Sequence, residues 1–102
     1  PTAYLVGFAR MDDVALGPIE VSQRKARTAA LFRTDSKELG ARAQPGGPIY
    51  SLEHTNGGLI SFGGGGVLRD SAGTIIGAIG IAGATVEADE EIAQAVAASL
   101  LD

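Results

Sequence analysis

The sequence predicts one small domain of the α/β (α+β) class that covers residues 1–102. Two segments, 18–32 and 87–101, repeat small and apolar residues at the spacing of an amphipathic helix. Residues 74–82 form an apolar run punctuated by glycine, which is typical of a buried strand. With 45% hydrophobic and 20% charged residues, the composition is that of a globular protein.

The N-terminal third is predicted to contain a strand and two helices. Residues 2–11 predict a central strand, because apolar side chains fall on both of its faces. Pro18 favours the start of a helix that runs over 18–32. Thr34 is the predicted N-cap of a short second helix that ends at Leu39.

The remainder is predicted as a long loop, a hairpin and a last helix. Residues 40–58 form the loop, with one helical turn around Tyr50–His54. Short strands are expected at 59–62 and, after four glycines, at Val67 and Leu68. Further along the chain lie a hairpin turn at 70–73, the strand at 74–82 and a helix capped by Thr85.

Charge and composition exclude several function classes. The net charge of −4 disfavours nucleic acid and anionic membranes as partners. The chain has no cysteine, which excludes disulfides and thiolate chemistry. A cytoplasmic location is therefore the default expectation. No stretch is long and apolar enough to cross a bilayer. Because its apolar bulk consists largely of small residues, we expect a partner subunit to complete the core.

Three blocks of the sequence resemble the GlcG/HbpS, or haem-degrading domain, family, which is related to the C-terminal part of PduO-type proteins. Residues 9–13 (ARMDD) resemble its R-M-D-G-A block, and residues 22–29 (SQRKARTA) resemble its S-x-x-K-A-x-T-A helix. Residues 62–83 resemble its F-x-G-G … G-x-x-V-G-A-I-G-V-S-G signature. The blocks follow the family order and the resemblance covers nearly the whole chain.

The resemblance implies a profilin-like fold, in which helices pack on an antiparallel sheet, and a homo-oligomer. It also implies haem or another tetrapyrrole as ligand. The family has a helix and a strand before the first block, and both are absent here, so we expect an open sheet edge and consider a separate N-terminal chain or fragment as a partner. Asp13, Gly66 and Ala82 replace a glycine, a proline and a serine of the family pattern.

The candidate ligand-binding residues lie in the loop and in the glycine run: Tyr50, His54, Gly63, Gly64 and Gly65. Haem takes an axial ligand from His, Met, Cys or Tyr, which here means His54, Met11, Tyr4 or Tyr50. Met11 is expected in the core, and the lone His54 can equally be an exposed loop residue. Consecutive glycine N–H groups can bind an anion. No spacing of ligand residues predicts a metal site.

The candidate catalytic residues are Arg10, Asp12, Lys25 and Pro1. Arg10 suits a carboxylate clamp. Proton transfer suits Asp12, Lys25, the secondary amine of Pro1 or the loop residue His54. The structural alternative is an ion pair that joins Arg10 or Lys25 to Asp12 or Glu20. The sequence therefore predicts an oligomeric small-molecule-binding protein, with an acid–base isomerase or lyase and a structural assembly module as alternatives.

Overall fold

The computed structural model describes residues 3–101. Its elements, in chain order, are α1 (Gly17–Phe32), α2 (Ser36–Arg42), a 3-10 turn (Leu52–His54), β1 (Gly65–Arg69), β2 (Ile75–Gly80) and α3 (Val86–Ser99). This arrangement confirms the predicted α+β class, with helices packed on an antiparallel sheet.

Helix α1 begins and ends as its sequence predicts. Pro18 occupies the first turn, where its missing N–H costs no hydrogen bond. The residue that follows the helix, Arg33, adopts the left-handed conformation with φ 54° and caps the helix end. Its buried face consists of Lys25, Thr28 and Ala29.

The N-cap of α2 is Asp35 rather than the predicted Thr34. The Asp35 carboxylate makes no capping bond to its own helix. It accepts hydrogen bonds from the Val67 N–H at 2.9 Å and from the Gln94 side chain at 2.8 Å. Asp35 therefore joins the start of α2 to β1 and α3, contacts that the local sequence does not reveal.

The two strands form an antiparallel hairpin in which Gly65 pairs with Gly80. Its turn lies at the predicted residues 70–73. The Asp70 side chain accepts hydrogen bonds from the Ala72 and Thr74 N–H groups. Gly73 supplies a positive φ of 84° that few other residues adopt.

Helices α1 and α3 cover opposite faces of this hairpin. A Cβ atom on Gly80 would overlap the Ser22 carbonyl, so the backbones of α1 and β2 are in direct contact. The next residue of β1 after Gly65 is Gly66, which points to the other face. A Cβ atom there would lie 3.8 Å from the Ala93 side chain of α3. The fold therefore has three layers in the order helix, sheet, helix.

Two predicted strands are wrong. Residues 3–11 contain no helix, strand, turn or bend, and those from Tyr4 onward are exposed. Residues 59–62 go from the buried Leu59 to the exposed Phe62 without joining a ladder. Their polar backbone groups bind side chains instead: Ile60 N–H donates to Thr28, and the Phe62 carbonyl accepts from Ser36. A segment becomes a strand only when a neighbouring backbone pairs with it.

Helix α3 confirms the predicted cap. The Thr85 hydroxyl accepts a hydrogen bond from the Ala88 N–H at 3.1 Å, and Glu87 and Asp89 lie in the first turn, where the helix dipole favours anions. The helices found between residues 3 and 101 are too short or too polar to span a bilayer.

Candidate functional site

A groove of about 1480 Å³ lies beside β2. We call it the edge groove. Its walls are residues 3–11, one side of α1, residues 76–82 and Ile92 of α3. Since β2 pairs only with β1 within residues 3–101, its other edge has no strand neighbour. The groove thus exposes one strand edge between two helices that lie on opposite faces of the sheet.

Large apolar side chains line the edge groove. Val6 is fully exposed, Tyr4 and Met11 are 83% and 80% exposed, and Ile76 is 55% exposed. The prediction that Met11 belongs to the core is therefore wrong, because no element of the described chain covers residues 3–11. Apolar exposure on this scale in a small protein is typical of a binding surface.

Three arginines also line the edge groove: Arg10, Arg24 and Arg27. Arg24 pairs with Glu20 at 2.8 Å, and it donates to the Gly57 carbonyl at 2.6 Å. Arg27 donates to the Asn56 carbonyl at 2.6 Å. These bonds hold the end of the long loop against α1. Arg10 makes no hydrogen bond within residues 3–101.

Lys25 lies in a buried polar cluster rather than in a cleft. Its ammonium group is 3.1 Å from Asp89 Oδ2 and donates to the Ile81 carbonyl at 2.7 Å. It also lies 5.2 Å from the centroid of the Phe62 ring. The side chains of Lys25 and Asp89 are only 1% and 4% exposed. Lys25 therefore forms a buried ion pair, but its partner is Asp89 and not the predicted Asp12 or Glu20.

The glycines predicted to bind a ligand contact this cluster. The Gly64 N–H donates to Glu90 at 3.0 Å, and the Gly65 N–H donates to the Ser36 hydroxyl at 2.9 Å. Gly63, Gly64 and Gly65 are all buried. Two of the N–H groups that would hold an anion are therefore already bonded within the protein.

The other predicted site residues are spread over the surface. Tyr50 is 59% exposed and His54 is exposed, both on the long loop and outside the walls of the edge groove. Asp12 is exposed in a turn after residues 3–11. The structure therefore brings neither Asp12 nor Lys25 into a common site with Arg10, and Pro1 lies outside the described residues. No group of three His, Cys, Asp or Glu side chains that could hold a metal ion occurs among the described residues.

Sequence reasoning missed Arg24, Arg27, Ser36, Asp89 and Glu90. In the sequence, Asp89 and Glu90 stand in the first turns of a helix, where the helix dipole favours anions. Their partners lie 26 and 64 residues away along the chain. The one available signal is that Ser22 and Ala29, one helical turn before and after Lys25, are small.

The chain is similar in sequence to one protein family and to several curated proteins. A family model described as haem degrading protein HbpS-like matches residues 1–98. The corrinoid adenosyltransferase PduO of Salmonella typhimurium is 43% identical over 93 residues, which are 89% of this chain and 27% of that protein. An uncharacterised 15.0 kDa protein from the dhaT–dhaS intergenic region of Citrobacter freundii is 39% identical, over 83% of this chain and 60% of its own length. The chain thus spans about a quarter of the first relative.

Solved structures show the same fold. The haem complex of PduOC superposes with a TM-score of 0.87 at 39% identity and covers 95% of this chain and 70% of its own. Klebsiella pneumoniae ORFY gives a TM-score of 0.90 at 31% identity, with coverage of 96% and 68%. A double mutant of Streptomyces reticuli HbpS gives 0.77 at 30% identity, with coverage of 90% and 60%.

Proposed function

Because the chain belongs to the HbpS-like family of haem-degrading proteins, we propose that it binds a tetrapyrrole, haem in the first instance, in the edge groove. The observation that carries the proposal is a large apolar groove whose lining includes three arginines. Haem is recorded in the complex of the related PduOC, which supports this choice of ligand.

The size and lining of the edge groove suit a large flat ligand. Pockets for drug-sized molecules span about 300–1,000 Å³ and are mostly apolar. At about 1480 Å³ the edge groove is larger than these. Its walls offer Val6, Phe8 and Ile76 for contact with a macrocycle. Burial of these exposed side chains against an apolar ring provides the driving force.

The arginines suit the two carboxylates of haem. A guanidinium group carries five N–H donors and binds carboxylates in a planar, often bidentate geometry. Arg10 has all of its donors available within the described chain. Arg24 and Arg27 use some donors on the loop carbonyls and keep others. We assign Arg10 the role of the main carboxylate clamp.

The edge groove also offers side chains of the types that bind the iron of haem. When bound, haem supplies an iron that takes axial ligands such as Tyr, Met or His. Tyr4 and Met11 line the groove and are more than three-quarters exposed. Tyr50 and His54 remain candidates from the exposed loop outside it. The structure favours Tyr4 and Met11 because they share the groove with the arginines.

A haemin titration followed at the Soret band tests the proposal. We expect Arg10→Ala to weaken binding about tenfold, since a hydrogen bond to a charged group contributes about 1.5–3 kcal/mol. Arg42→Ala is the matched control, because Arg42 is exposed on α2 and lies outside the groove. Arg10→Ala and Arg42→Ala proteins with equal affinities would refute a carboxylate clamp at Arg10.

Spectra of the haem complex identify the axial ligand. We expect Met11→Leu or Tyr4→Phe to change the Soret position, whereas His54→Ala and Tyr50→Phe leave it unchanged. The reverse pattern would place haem on the long loop and reject the edge groove. Absence of any haemin binding to the unmodified protein would reject the tetrapyrrole proposal as a whole.

A further inference from the structure

We infer that Asn56 is a modification site, at which the side-chain amide becomes a carboxylate once the end of the long loop leaves α1. Two arginines of α1 set the rate of this conversion, because they hold the loop in a conformation that blocks the reaction. The inference concerns the loop and not the ligand of the edge groove, so it does not depend on the proposed function.

The chemistry requires only Asn56, the next residue and water. Asn56 is the only asparagine of the chain, and Gly57 follows it. The Gly57 nitrogen attacks the carbonyl carbon of the Asn56 side chain and forms a carbon–nitrogen bond. The bond from that carbon to the side-chain nitrogen breaks, and ammonia leaves with the proton that Gly57 gives up. Water then opens the five-membered imide to aspartate or isoaspartate. Glycine favours the attack because it has no Cβ atom to crowd its nitrogen.

Asn56 and Gly57 occupy the two central positions of a tight turn. The Gly58 N–H donates to the Thr55 carbonyl at 2.9 Å, and φ is 54° at Asn56 and 75° at Gly57. Positive φ at both central positions is typical of a type I′ turn, in which ψ of the first central residue is about +30°. The imide ring requires the Gly57 nitrogen to lie on the same side of the Cα–C bond as Cβ. At this ψ the nitrogen lies on the opposite side, so the turn must open before the ring can close.

Three consecutive carbonyl groups hold this turn against α1. Arg27 donates to the Asn56 carbonyl at 2.6 Å. Arg24 donates to the Gly57 carbonyl at 2.6 Å and to the Gly58 carbonyl at 3.1 Å. We call these three hydrogen bonds the arginine latch. The two arginines are three positions apart and therefore lie on one side of the helix. Because the Asn56 carbonyl shares a peptide plane with the Gly57 nitrogen, ψ of Asn56 cannot rotate without breaking the bond to Arg27.

The conversion therefore records each opening of the arginine latch. Isoaspartate adds one methylene group to the main chain between the Asn56 Cα atom and the Gly57 nitrogen. The carbonyls of the isoaspartate form no longer match the spacing of Arg24 and Arg27, so that form stays open. The new carboxylate also changes the net charge of the chain from −4 to −5.

Mass spectrometry of the unmodified protein tests the inference without any variant. Native protein and protein unfolded in urea are incubated at the same pH and temperature in water enriched in heavy oxygen. The new carboxylate takes one oxygen from water, so heavy oxygen marks only the conversion that occurs during the incubation. The tryptic peptide 43–69 contains Asn56, and its fragmentation assigns the label to that residue.

We expect the native protein to react about tenfold more slowly than the unfolded protein, or more slowly still. One hydrogen bond to a charged group changes an equilibrium by about this factor or more, and the latch contains three. Equal rates in the two samples would show that the turn does not block the reaction. Absence of conversion in urea would show that Asn56 is not a modification site. Either result overturns the inference, whatever the outcome of the haemin titration.

Removal of the latch tests the role of the arginines. Arg24→Gln/Arg27→Gln should raise the rate in the native protein toward the rate in urea, and the converted form should separate on anion exchange by its added charge. Arg42→Gln is the matched control, because Arg42 is exposed on α2 and makes no bond to the turn. Circular dichroism shows whether each variant is folded. If the double variant is unfolded, Arg27→Gln alone replaces it, since this change removes only the bond to the Asn56 carbonyl. A folded latch variant that reacts as slowly as the unmodified protein overturns the role of the latch, as does equal acceleration by Arg42→Gln.

Discussion

Replacement of Lys25 by methionine tests whether the buried cluster supports the fold. Methionine keeps most of the length of the side chain but removes its charge and its two hydrogen bonds, at 2.7 Å to the Ile81 carbonyl and at 3.1 Å to Asp89. Asp89 would then be a carboxylate at 4% exposure whose remaining donor is the Ala84 N–H. A buried charge without its counter-ion is the most costly group in such a cluster.

The expected loss is about 3–5 kcal/mol, the usual cost of removing one partner from a buried ion pair. Small domains have unfolding free energies of about 5–15 kcal/mol, so Lys25→Met would remove a large share of the stability. With a urea m-value near 1.5 kcal/mol/M, the unfolding midpoint should fall by about 2 M or more.

Urea unfolding followed by circular dichroism measures this loss. Lys37→Met is the matched control, because Lys37 is exposed on α2, and it should change stability by no more than about 0.5 kcal/mol. The double variant Lys25→Met/Asp89→Leu should be more stable than the sum of the single changes predicts, by about 2 kcal/mol. A loss below about 1 kcal/mol for Lys25→Met, or strict additivity in the double variant, would refute the role assigned to the pair.

The glycine contacts and the helix cap give two further predictions. Gly80→Ala should destabilise the protein by about 1–3 kcal/mol, because the added Cβ would overlap the Ser22 carbonyl. Gly77→Ala is the control and should cost less, because its Cβ would meet only the Leu68 side chain at 3.8 Å. Equal urea midpoints for the two variants would contradict this reasoning. Thr85→Ala should cost about 1 kcal/mol through loss of the α3 cap, and Thr85→Ser should restore most of it in the same assay.

The helices, the hairpin and the cap were predictable because their signals are local. Pro18 at a helix start, Thr85 three residues before its N–H partner and glycine in the 70–73 turn act over a few residues. Family membership was predictable for a related reason, since three sequence blocks occur in a fixed order. These features required no knowledge of what packs against them.

The sequence does not show the distant contacts of the predicted site residues, and these contacts decide where each side chain lies. His54 and Tyr50 were selected by chemical type, and the structure places both on an exposed loop. Gly64 and Gly65 are candidates because consecutive N–H groups can bind an anion. In the structure these N–H groups donate to Glu90 and Ser36 instead. Of the predicted catalytic residues that the structure describes, Arg10 alone lines the edge groove. Residue type identified groups capable of the chemistry, but burial and partners decided which of them are available.

The sequence by itself determined where helices begin, where the hairpin turns and which family the chain belongs to, because these depend on residues close together in the chain. Only the tertiary structure decided that residues 3–11 and 59–62 are not strands and that Lys25 pairs with a residue 64 positions away. The physical reason is that a strand and a buried ion pair both require a partner. Residues 3–11 have the apolar alternation of a strand, but no backbone of the described chain pairs with them.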